Sequence, residues 1–211
     1  MQDETQTDQQ VQRPRTASES LLALKEGNRR FAEGQVLHAH QAADWRTHLT
    51  GEQHPFATIL CCSDSRVPPE LVFDQGFGDL FVIRVAGNII DADVIGSIGY
   101  AVLHLKTPLV VVMGHEGCGA VTAALQMLDG QSREPKYISG LLKHIVPGLT
   151  LLDQSLCGEN RVNAAVEANV RHSVTLLQQI PEARDALEQQ IVHLESAIYE
   201  LTTGRVRFLE G

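Results

Sequence analysis

Two stretches of the sequence decide the fold: residues 56–66 read FATILCCSDSR, and residues 109–119 read LVVVMGHEGCG. Each begins with a short apolar run rich in β-branched side chains and ends in small and polar residues, which is typical of a buried strand followed by a tight turn. A similar run at residues 80–85, LFVIRV, predicts a third strand. Buried strands that alternate with helical segments indicate a parallel sheet in an α/β protein.

Helical patterns between and after these strands complete the fold prediction. Apolar residues recur with helical spacing in three segments: between the strands at residues 80–85 and 109–113, after Cys118 as far as Leu128, and along residues 166–177. Pro181 opens a further short helix. Residues 130–147 contain several glycines and prolines, and no helix or strand is predicted there. Residues 191–209 predict a hairpin at the sheet edge. We therefore expect an α/β fold with a mostly parallel central sheet, a C-terminal antiparallel edge strand and flanking helices.

The N-terminal part of the chain has a different texture. Residues 1–15 are polar and are expected to be disordered. Thr16 to Glu19 have the form of a capping box, which predicts a helix to about Gly34, and a short helix is expected near residues 44–49. Residues 16–55 carry little core of their own and are interpreted as a helical arm. Residues 56–211 form the α/β core of a single domain that spans residues 1–211.

Composition excludes several classes of function. The chain has 211 residues, of which 43% are apolar and 20% charged, and its formal net charge is −9. This acidic balance disfavours nucleic acids and anionic membranes as partners. The apolar runs are too short to cross a membrane, and residues 1–4 show neither a basic nor an apolar leader segment. We expect a soluble cytoplasmic protein, or a periplasmic one if a leader was removed.

Cysteine and histidine at two strand ends indicate a metal site. Cys62 follows the strand predicted at residues 57–61, and His115 and Cys118 follow the strand predicted at residues 109–113. Neighbouring parallel strands would bring the three together, and two thiolates with one imidazole leave the fourth position of a zinc ion open, as catalytic sites do. The start of the helix after Cys118 would favour its thiolate. The alternative is that each cysteine is a small core side chain; Cys61, on the opposite strand face, and Cys157, in a loop, are interpreted as outside the site.

A carboxylate and a guanidinium follow the first cysteine. Asp64 could coordinate the metal or accept a proton from bound water, and Arg66 could hold it bidentately away from the metal. This pair would decide between a closed and an open metal site. The alternative is an ordinary local ion pair.

At these residues the sequence resembles the β-class carbonic anhydrases, from about Leu21 to the C-terminus. The matching segments are GNRRF at 27–31, CSDSRV at 62–67, GDLFVIR at 78–84, YAVLHL at 100–105 and HEGCG at 115–119. The resemblance implies an α/β sheet with a C-terminal antiparallel strand, N-terminal helices that embrace a partner subunit, and an active site at a two-fold dimer interface.

The resemblance also implies the roles of individual residues. The zinc ligands, with one Zn2+ per subunit, would be Cys62, His115 and Cys118, and the catalytic dyad would be Asp64 and Arg66. The residues that line the substrate pocket in the plant-like subgroup match Gln53, Phe81, Ala86, Tyr100 and Gly119. Ala86 departs from the valine often found there. For Phe81 and Tyr100 the alternative is plain core packing.

The implied activity is reversible hydration of CO2 to bicarbonate and a proton by zinc-bound hydroxide. Another subgroup closes its zinc with the aspartate and uses a tryptophan in a regulatory bicarbonate site; the only tryptophan here, Trp45, lies in a different context, which favours the open subgroup. The partners would be CO2 and bicarbonate together with further copies of the chain, as a dimer or tetramer. The alternatives are a noncatalytic zinc or bicarbonate-binding module, a carbon disulfide or carbonyl sulfide hydrolase on the same scaffold, and thiol redox chemistry by Cys61 and Cys62.

Overall fold

The structure is a computed structural model that describes residues 13–210. Residues 1–12, most of the segment expected to be disordered, lie outside the described residues. The described part contains five strands, eight α-helices and one short 3-10 helix, Ala86–Asn88. The strands are β1 (Ala57–Cys61), β2 (Leu80–Arg84), β3 (Leu109–His115), β4 (His193–Tyr199) and β5 (Val206–Phe208). The helices are α1 (Ala17–Ala32), α2 (Ala43–His48), α3 (Pro69–Val72), α4 (Ala92–Leu103), α5 (Gly119–Leu128), α6 (Lys136–Leu149), α7 (Gly158–Gln179) and α8 (Pro181–Glu188).

The strands form one sheet in the order β2-β1-β3-β4-β5. The first four strands run parallel, and β5 is antiparallel to β4. The expected mostly parallel sheet with an antiparallel C-terminal edge strand is confirmed. The chain leaves β1 for β2 on one side and then crosses to β3 on the other, so β1 and β3 flank the point where the direction of winding reverses. Ligands in open α/β sheets bind at the carboxyl end of such a pair.

Alternating side chains divide the core into two layers. Leu60, Val110 and Val112 point to the face covered by α4 through α8. Residues at odd positions, such as Ile59 and Val111, point to the face covered by α1 and α3. This period of two is the reason why adjacent cysteines on one strand reach different surroundings. Cys61, predicted to be core, is fully buried in the second layer, where burial raises the pKa of its thiol to about 12.

Helix α1 begins at the predicted capping box. The Thr16 hydroxyl accepts from the amide of Glu19, whose carboxylate accepts from the amide of Thr16. The helix packs on its own chain, because Leu24 is fully buried and the Asn28 side chain donates to the carbonyl oxygens of Val72 and Gly204. Helix α2, in contrast, buries no residue.

Helix α6 was not predicted. Its three buried side chains, Leu142, Ile145 and Leu149, lie on one face and join the first core layer. Gly148 faces α7 at a point where an added Cβ would lie 2.6 Å from the Cβ of His172. Tertiary packing therefore maintains the helix despite its glycine and proline residues. Among residues 13–210, no helix combines the length and apolar character needed to cross a membrane.

Candidate metal centre and a second pocket

Three metal-ligating side chains meet at the carboxyl edge of the sheet. Cys62 directly follows β1, His115 is the last residue of β3, and Cys118 caps the amino end of α5. Their ligand atoms lie within 4.8 Å of one another, and all three residues are buried. The sheet therefore brings together the two thiols and the imidazole that the sequence placed at separate strand ends. We call these three residues the triad.

The donor atoms of the triad fit a tetrahedral zinc ion. Bonds of about 2.3 Å place two sulfur ligands about 3.8 Å apart, and the two sulfur atoms here are 4.0 Å apart. Nδ1 of His115 lies 2.9 Å from the carbonyl oxygen of Glu116, which can only accept, so Nδ1 carries the proton. Nε2 is buried and has no hydrogen-bond partner within residues 13–210. Its lone pair is therefore available to a metal.

The two thiols differ in how readily they ionise. The pKa of Cys62 is lowered because the Cys118 thiol donates to its sulfur and because the amide of Gly87 also donates, although burial opposes the shift. The pKa of Cys118 is raised by the neighbouring Cys62 sulfur and by burial, which outweigh the amides at the start of α5. The expectation that the helix start favours the Cys118 thiolate agrees in direction with the amides of Ala120 and Val121, which lower the pKa of Cys118. A divalent cation would favour both thiolates.

Asp64 and Arg66 form a bidentate pair beside the triad. Arg66 donates from Nε to Oδ1 at 2.9 Å and from Nη2 to Oδ2 at 2.7 Å, and its backbone amide also donates to Oδ1. These hydrogen bonds hold the pKa of Asp64 well below its usual range. Oδ2 lies 3.9 Å from Nε2 of His115. The carboxylate is therefore ionised, tied to Arg66 and directed toward the position that a metal would fill.

Arg84, which the sequence analysis did not single out, fixes the loop that carries Asp64. It is the last residue of β2, and its guanidinium donates to the carbonyl oxygens of Cys62 and Asp64. The two bonds span the turn between the first metal ligand and the carboxylate. Its conformation therefore depends on β2 as well as on β1. No local sequence pattern indicates this contact, because the partners are backbone atoms of a different strand.

Two predicted pocket residues lie next to the triad. Gly119 is the first residue of α5 and directly follows Cys118; a Cβ added there would meet no atom within 4 Å. Ala86 begins a one-turn 3-10 helix, Ala86–Asn88, whose Gly87 amide donates to the Cys62 sulfur at 3.3 Å. Both residues therefore border the same end of the sheet as the triad.

Two other predicted pocket residues lie together elsewhere, in what we call the second pocket. Gln53 lies in the exposed loop before β1, and Tyr100 lies on α4 with its ring 5.1 Å from that of His104. Tyr100 is 48% exposed, so the alternative of plain core packing is wrong for it. The second pocket is lined by Leu49, Thr50, Gly51, Glu52, Gln53, His54, Tyr100, His104, Leu105 and Lys106. It contains no member of the triad.

Phe81 belongs with the second pocket. Its ring centroid is 6.2 Å from that of Tyr100, and in the sheet it pairs with Thr58, four residues before Cys62. Four residues of strand span about 13 Å. Within one chain, therefore, the structure does not bring Gln53, Phe81 and Tyr100 to the triad.

Comparisons with known proteins agree with this architecture. A family model described as carbonic anhydrase matches residues 57–206. A curated carbonic anhydrase from Mycolicibacterium smegmatis is 42% identical over 188 residues, which cover 87% of this chain and 89% of that protein.

Solved structures give the same result. The structure of the β-carbonic anhydrase CcaA matches with a TM-score of 0.75 and 32% identity, covering 90% of this chain and 95% of that chain. A structure from a study of two tetrameric β-carbonic anhydrases of the filamentous ascomycete Sordaria macrospora matches with a TM-score of 0.72 and 26% identity, covering 88% and 94%. The similarity extends over nearly the whole chain in both cases.

Proposed function

The chain belongs to the β-class carbonic anhydrases, and from this premise we propose that it hydrates CO2 with one zinc ion per subunit, held by Cys62, His115 and Cys118. The observation that carries the zinc assignment is the buried Nε2 of His115, which has no hydrogen-bond partner within residues 13–210 and faces two sulfur atoms. Burial of an imidazole nitrogen without a hydrogen-bond partner costs free energy, and a bound cation would remove that cost. When bound, zinc would act as a Lewis acid that activates a water molecule for attack on CO2.

The carboxylate of Asp64 orients the reacting water. Its Oδ2 is the oxygen nearer to Nε2 of His115, so it borders the metal position and can accept a hydrogen bond from water there. Arg66 occupies both carboxylate oxygens, which keeps Asp64 ionised and off the metal. A water molecule there would donate one hydrogen bond to the carboxylate and keep a lone pair free for the substrate.

Carbon dioxide is a small neutral molecule, so the pocket needs apolar walls and one donor rather than charge. Ala86 and Gly119 would border the substrate from the same subunit as the triad. Gln53, Phe81 and Tyr100 would come from a second copy of the chain across a two-fold interface, because about 13 Å of strand separates Phe81 from Cys62 within one copy. The Gln53 amide would donate to a substrate oxygen. The tetrameric Sordaria relatives support self-association.

An Asp64→Asn substitution tests the proposal. The amide keeps the shape of the side chain but has no charge and a single acceptor oxygen, for which Arg66 and the water would compete, so we expect full zinc content and a fall in kcat of about 100-fold or more. Zinc per subunit and stopped-flow CO2 hydration would be measured on the same samples. Asp129→Asn is the matched control, because Asp129 forms a bidentate pair with Arg161 at the surface, away from the triad. Undiminished hydration by zinc-loaded Asp64→Asn would overturn the assignment.

A noncatalytic zinc module is the alternative function, with Asp64 as the fourth ligand. The two hydrogen bonds from Arg66 argue against it, because Asp64 would have to give up this bidentate pair in order to coordinate the metal. Azide binding to the zinc-loaded protein distinguishes the two. An open site exchanges its fourth ligand for azide, whereas a closed one does not.

A further inference from the structure

A strained turn holds a hydrogen-bond donor against the first metal-binding thiol. The turn joins Val85 to Asn88, whose amide donates to the Val85 carbonyl at 3.0 Å. Within it, Gly87 has a φ of 68° and Asn88 a φ of 43°, so two consecutive residues adopt the left-handed conformation. This geometry directs the Gly87 amide to the sulfur of Cys62 at 3.3 Å. Left-handed pairs persist only where their surroundings hold them.

Only glycine fits at the centre of this turn. A Cβ on Gly87 would lie 2.6 Å from Cδ1 of Ile145 and 3.1 Å from the Cβ of Ala120. Glycine, however, is also the residue with the greatest backbone freedom. The position of its amide therefore depends on whatever fixes the two peptide groups that follow.

Two buried polar side chains of α7 fix those peptide groups. Asn169 donates from Nδ2 to the carbonyl oxygen of Gly87 at 2.8 Å, and Ser173 donates to that of Asn88 at 3.2 Å. They lie one helical turn apart and are 1% and 2% exposed. The neighbouring buried residues of α7 are mostly apolar. A buried amide in such surroundings is stabilising only if it is hydrogen-bonded, so its partner is the turn.

The same helix also contacts the strand that carries the second ligand. Gly114 precedes His115, and a Cβ there would lie 2.6 Å from Val170 and 3.1 Å from Val166 of α7. Helix α7 thus packs against β3 next to His115 while its polar side chains hold the turn next to Cys62. One rigid element sets the relative position of two ligands that are 53 residues apart in the sequence.

We propose that Asn169 is a positioning residue of the metal centre, which acts through the Gly87 peptide to keep an N–H donor on the Cys62 sulfur. The proposal rests on the proposed zinc site of Cys62, His115 and Cys118. A hydrogen bond to sulfur stabilises the thiolate charge and fixes its direction toward the cation. Without the Asn169 amide, the Gly87 carbonyl loses its partner, the turn relaxes from the left-handed conformation, and the donor leaves the sulfur.

The test substitutes Asn169 by leucine, which has a similar shape but no donor, and loads the protein with Co2+ or Zn2+. We expect metal affinity, measured by competition with a chromophoric chelator, to fall by about tenfold, the lower end of outer-shell effects. The sulfur-to-cobalt charge-transfer band should move to longer wavelength, because an unbonded thiolate gives up its electron more readily. The matched control is Leu177→Ala, which truncates a buried side chain of the same helix away from the turn and should leave the band in place.

Two further measurements keep the proposal falsifiable if Asn169→Leu does not fold. Ser173→Ala removes only the second donor and should move the affinity and the band in the same direction by less. In the wild-type protein loaded with 113Cd, the Gly87 amide proton should show scalar coupling to the metal through sulfur.

The possible outcomes separate the two proposals. If the wild-type protein shows a normal cobalt band and Asn169→Leu shows the same band and the same metal affinity, the role of Asn169 is overturned and the zinc site stands. The same holds for Ser173→Ala if only that variant folds. A cadmium-loaded protein whose Gly87 proton is uncoupled would do the same. A wild-type protein that forms no sulfur-to-cobalt band would overturn both.

Discussion

The metal centre and the second pocket are built in opposite ways. The triad is buried, lies at the ends of two adjacent central strands, and is held by elements far apart in sequence, such as Arg84 and α7. The second pocket consists of the exposed loop that carries Gln53 and the outer face of α4 at Tyr100 and His104. The residues of the metal centre make their hydrogen bonds and packing contacts within one chain, whereas those of the second pocket lie at the surface.

This difference follows from what each region must do. Thiolates beside an imidazole must be shielded from water and held at fixed distances to bind a cation, so a single chain has to enclose them. Aromatic and amide groups for a neutral substrate need only face the metal from across a cleft. An exposed pocket can supply them from another copy of the chain.

Removing the metal should have the largest effect. Prolonged dialysis against a chelator is expected to abolish CO2 hydration, and added Zn2+ should restore it, because no other group activates water at this site. Cys118→Ser should lose both zinc and activity, and added Zn2+ should not restore them. Metal content and hydration rate measured together check this, with Cys157→Ser as the matched control because Cys157 is exposed at the start of α7. Activity that survives chelation would contradict the zinc mechanism.

Mixing two inactive variants tests whether the two regions work across subunits. Gln53→Ala should lose about 100-fold in kcat, as expected for a lost substrate-orienting donor, and Asp64→Asn should lose at least as much. A mixed dimer should recover about half of the wild-type activity, since one of its two sites has both residues intact.

The measurement uses the two variants with different affinity tags, refolded or expressed together, and purified over both tags. Dimers that carry the same variant twice are the control. If each site used Gln53 and Asp64 of one chain, no mixed dimer would recover activity. That result would contradict the proposal that the second pocket serves the metal centre of another copy of the chain.

Substitution of Asp74 should destabilise the protein by an amount that depends on pH, without touching the triad. Burial tends to raise the pKa of Asp74, but hydrogen bonds from Arg30 and the amides of Leu37 and His38 hold it below the ordinary 3.8. Because the folded pKa is the lower one, this stabilisation is present above pH 3.8 and is lost as pH falls through the folded pKa.

Asp74→Asn should therefore lower the free energy of unfolding by about 1–3 kcal/mol at pH 7. The difference from wild type should shrink as the pH drops below about 4. Urea unfolding at several pH values measures this, and zinc affinity should stay unchanged. A difference that grows toward low pH would have the wrong sign for this carboxylate.

The smallest expected effect concerns the proton that leaves with each turnover. Of the histidines, His54 and His104 line the second pocket, and the His104 ring lies 5.1 Å from that of Tyr100. His104→Ala should slow hydration in weak buffer by less than about tenfold, which is under about 1.4 kcal/mol. Added imidazole should restore the rate, whereas His144→Ala, at an exposed position on α6, should change nothing. Slow hydration that imidazole does not relieve would point to a packing defect instead.

Most of the fold could be predicted from the sequence. The bounds of β1, the capping box of α1 and the C-terminal hairpin follow from apolar patterns and turn residues that act over a few positions. Helix α6 could not be predicted, because Gly140 and Pro147 conceal a buried stripe that only packing against α5 and α7 makes favourable. The elements with local signals were the predictable ones.

The site divides in the same way. The sequence placed Cys62, His115 and Cys118 at strand ends, and the order of parallel strands was enough to bring them together. Asn169 gave no signal, since an asparagine within a helical pattern does not show whether it faces solvent or a buried carbonyl. Nor could the sequence show that the two sulfur atoms lie 4.0 Å apart or that the Gly87 amide donates to Cys62.

The sequence by itself thus determined the sheet, the grouping of Cys62, His115 and Cys118, and the Asp64–Arg66 pair, because each depends on short stretches whose geometry is local. The tertiary structure alone decided that Arg84 and Asn169 hold the metal-binding turns and that Gln53 and Tyr100 lie apart from them. The physical reason is range. Backbone periodicity acts over a few residues, whereas buried hydrogen bonds join residues tens of positions apart, at distances that only the packed chain fixes.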